Sequence, residues 1–164
     1  MGIDLAVTTP AFLDLTFVGL EALPGPGEER FAGDLLRSPG GGAITVVAAA
    51  RLGLEAALVA PLGDDLAGEF VRREVEAEGV QVTGYRPTKT PQTVVMPVGH
   101  ERTMVTVDPG SRAAGEVILE RAAALGCDLL VKCAYTQSRL RQMIFGGATR
   151  HILGHATLPV FMAH

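Results

Sequence analysis

The apolar positions of this chain come in short runs broken by glycine and proline, not in long stripes. Residues 3–7 (IDLAV) and 15–20 (LTFVGL) are two such runs, and Thr8, Thr9 and Pro10 interrupt the pattern between them as a turn at a strand end does. The pattern predicts strand, turn, strand. Residues 23–29 (LPGPGEE) cannot be helical, because Pro24 and Pro26 have no amide hydrogen and Gly25 and Gly27 lose the most backbone entropy on ordering. Gly40, Gly41 and Gly42 then open an alanine-rich segment over 43–52 that stops at Gly53. That spacing predicts a glycine-rich loop, a tightly packed helix and a glycine C-cap.

Residues 56–61 read as a strand, and Gly63, Asp64 and Asp65 supply a turn and an N-cap for a helix over 66–78. Leu66, Phe70 and Val75 mark its expected buried stripe, with Arg72, Arg73, Glu74, Glu76 and Glu78 on its wet face. Residues 93–98 and 103–107 are β-rich, and the four residues from Gly99 to Arg102 between them predict a hairpin. The rest alternates again. A helix is expected over 113–125, a strand over 128–132, a turn around 135–138, a helix over 140–153 interrupted by Gly146 and Gly147, and a last strand over 158–162. Alternation of this kind implies a three-layer, Rossmann-like α/β domain over 1–164, with one mainly parallel sheet and the hairpin as a lid-like accessory.

Composition narrows the function. Hydrophobic residues make up 48% of the 164 and charged residues 20%, which excludes a disordered chain. The net charge of -4, without a basic block, argues against nucleic acid or an anionic membrane as partner. No apolar run approaches the roughly 20 residues of a membrane span, and the N-terminus lacks a signal-peptide pattern, so a cytoplasmic location is expected. Cys127 and Cys133 are six apart, without redox or zinc spacing, and read as buried thiols. His151 and His155 have zinc-compatible spacing but no third ligand nearby in sequence, so no metal site is expected.

The stretch PGGGAITVVAAARLG, followed by PLGDD, resembles the first signature of the PfkB (ribokinase-like) carbohydrate kinases. AFLDLTF before it, LPGPGEERF and SPGGG, and the hairpin TPQTVVMPVGHERTMVTVDPG after it resemble the same family in the same order, over roughly residues 1–110. By that resemblance Asp14 binds sugar hydroxyls, Gly41 and Gly42 let the backbone approach the sugar, and the hairpin belongs to a lid. A carboxylate suits the first task because it accepts hydrogen bonds from two adjacent hydroxyls. Ile44 stands where the signature usually carries an asparagine, and no D-T-x-G-A-G-D segment, which supplies the family's anion hole and base, occurs in these residues. Asp108, Pro109 and Gly110 read as a turn that ends a strand.

Residues 127–164 (CDLLVKCAYTQSRLRQMIFGGATRHILGHATLPVFMAH) resemble the end of a universal stress protein. That family's ATP-binding members use a G-x2-G-x9-G-(S/T) pattern whose positions are occupied here by Cys133, Thr136, Gly146 and Gly147. The resemblance implies ATP contacts at Thr136, Ser138, Gly146 and Gly147, and a homodimer through the last strand, Leu158 to Met162. Two resemblances meeting near residues 111–116 imply a recombined or engineered chimera of segments 1–110 and 111–164. The expected function is accordingly a non-catalytic or vestigial α/β domain with at most weak binding of a nucleotide or polyol. The alternatives are a PfkB-family sugar or nucleoside kinase that uses ATP, and a stress-protein-like, ATP-binding dimeric regulator.

Overall fold

Thr8, Thr9 and Pro10 separate two strands as the pattern requires: β1 (Leu5–Val7) and β2 (Ala11–Val18). They belong to a computed structural model that describes residues 2–83, 89–110, 114–133 and 147–163. Residues 23–29 form no helix or strand, and β3 (Asp34–Gly41) follows them. The glycine-rich stretch then turns directly into α1 (Gly42–Arg51), which buries Ala43, Val46 and Ala49 on one face and stops before Gly53, at φ 89°. Arg51 in its last turn complements the helix dipole and grips the carboxylate of Glu78 with two nitrogens, one of them Nε at 2.8 Å from Oε2.

After β4 (Ala56–Val59), every residue of which is buried, Asp65 caps α2 (Leu66–Ala77) by accepting the Gly68 N–H at 2.9 Å. The buried stripe of α2 is Ala67, Val71 and Val75 with Gly68, each separated by about one helical turn. Leu66 is 85% exposed, so its expected place in the core is corrected. It lies one residue, or about 100° of rotation, off that stripe. Small side chains at 67 and 68 let the helix start sit against the chain, where a Cβ on Gly68 would strike Gly63 and Thr90.

The remaining elements are β5 (Gln81–Thr83), β6 (Gln92–Val98), β7 (Glu101–Val107), α3 (Gly115–Ala124), β8 (Leu130–Cys133), α4 (Gly147–His155) and β9 (Val160–Ala163). The hairpin of β6 and β7 turns at Gly99 and His100 alone, because Glu101 and Arg102 already pair with Val98 and Pro97. The predicted four-residue turn is thus two residues too long. Asp108 to Gly110 forms the expected turn, with the Gly110 N–H donating to Asp108 Oδ1 at 3.0 Å.

The α/β class holds, with parallel strands flanked by helices, but the described strands form three hydrogen-bonded sets instead of one sheet. The first has the order β1-β4-β5 and is parallel throughout; the second is β3-β2-β6-β7; the third pairs β8 with β9 in parallel. β2 and β6 lie outside the first parallel set and pair with each other. The accessory expected of a hairpin is therefore a four-stranded mixed sheet, in which β2 runs antiparallel to β3 and parallel to β6. One apolar cluster unites β1, β2, β4, α1 and α2, and a second joins Ile118, Leu130 and Ile152 from α3, β8 and α4. Trimming the second by Ile152→Val should cost about 1 kcal/mol, and a lowered urea midpoint with an unchanged slope checks it.

Candidate sugar-binding site

Alternation along β2 sends Ala11 and Leu13 into the core and Phe12, Asp14 and Thr16 to the opposite face. The register sets Asp14 opposite Ser38 on β3 and opposite Thr93 on β6, and Thr93 opposite Thr106 on β7. One row of polar side chains, Ser38, Asp14, Thr93 and Thr106, thus crosses all four strands. The hydroxyls of Thr93 and Thr106 are 3.0 Å apart, and Thr93 is buried. The row containing Leu36, Thr16, Val95 and Met104 flanks it on one side, and Gly40 opposite Phe12 lies on the other.

Asp14 is half-buried, and burial raises its carboxyl above the ordinary aspartate range. Among the described residues no hydrogen bond or ion pair engages it. The backbone of Gly40 lies against this carboxylate so closely that a Cβ there would overlap all three carboxyl atoms. It is Gly40, not Gly41 or Gly42, that sits beside Asp14. Gly41 adopts φ 59°, ψ −128° and faces the Pro10 carbonyl and the Phe12 ring, while Gly42 donates its N–H to Pro10 at 2.8 Å and faces Thr9. These two glycines make the sharp passage from strand to helix that brings Gly40 to the site. Ile44, where the kinase signature carries an asparagine, is 61% exposed in the first turn of α1.

Thr136, Ser138 and Gly146 lie outside the described residues, and Gly147 is the first residue of α4. His151 and His155 stack with ring centroids 4.1 Å apart, and His151 Nδ1 lies 3.7 Å from Glu116. Among the described residues no group of three His, Cys, Asp or Glu side chains is close enough to hold a metal ion. Cys127 is only half-buried; burial, then the neighbouring Asp128 carboxylate, raises its thiol pKa.

The sequence model of the pfkB family of carbohydrate kinases matches residues 17–134. The chain belongs to that family. A curated relative, the ATP-dependent ribose-1-phosphate kinase of Halopiger xanaduensis, is 44% identical over 61 residues, or 36% of this chain and 21% of that protein. The fold of the ribokinase of Thermotoga maritima matches with a TM-score of 0.71 at 16% identity, over 99% of this chain and 52% of the other. That of Arabidopsis thaliana ribokinase complexed with ribose and ATP matches with a TM-score of 0.66 at 20% identity, over 99% and 53%. The chain therefore spans about half the length of these solved relatives and a fifth of the curated one.

Two expectations are corrected by these matches. The pfkB match runs through residues 111–116, and the ribokinase fold covers the tail as well as the front, so nothing shows a stress-protein segment or a chimeric joint. The non-catalytic, vestigial reading is corrected with them, because the family to which the chain belongs is one of carbohydrate kinases. Its main argument, the lack of D-T-x-G-A-G-D in these 164 residues, carries no weight when the chain spans half of its solved relatives. No described helix is long and apolar enough to cross a membrane.

Proposed function

We propose that this chain provides the sugar-binding face of a pfkB-family kinase that transfers the γ-phosphoryl group of ATP to a hydroxyl of a pentose. The observation that carries the proposal is Asp14: a half-buried carboxylate without a partner among the described residues, set against the bare backbone of Gly40. Such a group gains most from a ligand that brings its own donors, and two neighbouring sugar hydroxyls do so. Ser38 and Thr93 stand on the adjacent strands, about 4.8 Å to either side, with hydroxyls that both donate and accept. A pentose is favoured by the named substrates of the relatives, ribose 1-phosphate and ribose.

Phosphoryl transfer rests on positioning and on stabilising the charge of the transferred group. The role of this face is the first of these, holding the acceptor hydroxyl still. ATP as the phosphoryl donor is supported by solved relatives in complex with it. The reading places the enzyme in the cytoplasm with small-molecule partners. A homodimer through 158–162 would use β9, where Phe161 is exposed.

Calorimetric titration with D-ribose, followed by a coupled assay for ADP release with Mg-ATP, tests the proposal. Saturable binding that is lost in Asp14→Asn, with sugar-dependent ADP release, is the expected result. No binding of any pentose or hexose at millimolar concentration would sink it.

A further inference from the structure

The first kinase-like signature ends in PLGDD, and the structure gives the second aspartate of that motif more to do than cap a helix. Asp65 Oδ1 accepts the Gly68 N–H at 2.9 Å and the Thr90 hydroxyl at 2.7 Å, while Oδ2 accepts the Thr90 N–H at 2.9 Å. The Thr90 oxygen in turn accepts the Gly63 N–H at 2.9 Å. Thr90 is 2% exposed, and every polar group of the knot is satisfied. Burial pushes the Asp65 carboxyl up, but the donors from Thr90 and Gly68 outweigh it and hold it below the ordinary range. A Cβ on Gly63 would strike Lys89 and Thr90, so the two segments meet backbone to backbone.

What the knot fixes is the start of β6. Pro91, fully buried, follows Thr90, and its carbonyl accepts the Leu13 N–H at 3.0 Å. Gln92 then pairs with Leu13, and Thr93 with Asp14. A slip by one residue at this point would turn Thr93 to the other face of the sheet. The chain of contacts from α2 to Asp14 is therefore short and continuous: Asp65, Thr90, Pro91, Leu13.

We infer that Asp65 and Thr90 are positioning residues of the sugar site, whose knot sets where β6 meets β2 and so places Thr93 beside Asp14. The inference rests on the kinase reading for its functional consequence, but the placement itself is measurable without a ligand. As positioning residues, both act through the backbone of 90–92. Thr90→Val keeps the shape of the side chain and removes the hydroxyl, and Thr90→Ser restores it.

Amide hydrogen exchange of the full chain is the test, with D-ribose titration beside it. In Thr90→Val the Leu13 amide and the β6 amides should exchange about tenfold faster, with the α1 amides of Val46 and Ala49 unchanged, because only a local opening is made easier. The ribose dissociation constant should rise about fivefold, and Thr90→Ser should return both toward the parent values. Equal acceleration at Leu13 and at Val46 would overturn the inference, since it would mark a general loss of stability. Unchanged ribose affinity despite fast exchange at Leu13 would overturn it too. A parent chain that binds no ribose would count against the kinase reading, and the exchange comparison alone would then decide the placement.

Discussion

Replacing Asp14 with asparagine should weaken ribose binding about 100-fold without lowering the melting temperature. The side chain keeps its shape, but one acceptor oxygen becomes a donor and the charge is lost; charge-assisted hydrogen bonds contribute about 1.5–3 kcal/mol each, and 100-fold corresponds to about 2.7 kcal/mol. Stability moves the other way. An acid whose pKa is raised on folding binds its proton more tightly in the folded state, so above that pKa the ionised group weakens the fold. Asparagine removes that cost. Binding runs opposite to stability in pH: ribose affinity should be full above the raised pKa of Asp14, where the carboxylate is ionised, and decline as pH falls through it, and the decline should vanish in Asp14→Asn. Titration calorimetry across the acid range measures both, and a flat affinity in the parent chain would remove Asp14 from the site.

Gly41→Ala should unfold the site from the other side, by breaking the bend that carries Gly40. At φ 59°, ψ −128° a residue with a Cβ is strained by about 1–3 kcal/mol. Here the added carbon would also lie closer than 3.0 Å to the Pro10 carbonyl oxygen and the Phe12 ring, and neither is the loose end of a flexible chain. A total near 3 kcal/mol is expected, which for a chain of this length lowers the melting temperature by about 6–12 °C. Circular dichroism against temperature is sufficient to see it. A shift of under about 2 °C would mean that Phe12 and Pro10 move aside freely, and the close approach of Gly40 to Asp14 would then not be fixed by this turn.

Much of this architecture is written in local pattern. The glycine-to-alanine passage at 40–53 and the aspartate before 66 define α1 and α2 to within a residue or two, because caps and breakers act on their neighbours. A run of spaced motifs singled out Asp14 with Gly41 and Gly42, but the glycine that lies against the Asp14 carboxylate is Gly40. The hydroxyls beside Asp14 were not legible. Strand periodicity says which residues share a face, but the pairing of residue 14 with 38 and 93 is a register, fixed by packing between segments far apart in the chain. Asp65 was legible as a cap, while its second role needs Thr90, brought to it across 25 positions. The tail misled for a related reason. An apolar strand, a glycine near a helix start and a final strand are the repeating unit of doubly wound folds in general, so 127–164 resembles more than one family.

The pairing of β2 with β6 also has a kinetic side. The turn at Gly99 lets β6 and β7 meet early, since few residues separate them, but residue 13 finds residue 92 only after α1, β4 and α2 have brought the chain back. Closing a loop of that size is slow compared with forming a hairpin. The parallel strands and their helices can therefore assemble first, and the face that carries Asp14, Ser38 and Thr93 is completed late. A folding intermediate of this chain would have its core before it had its specificity.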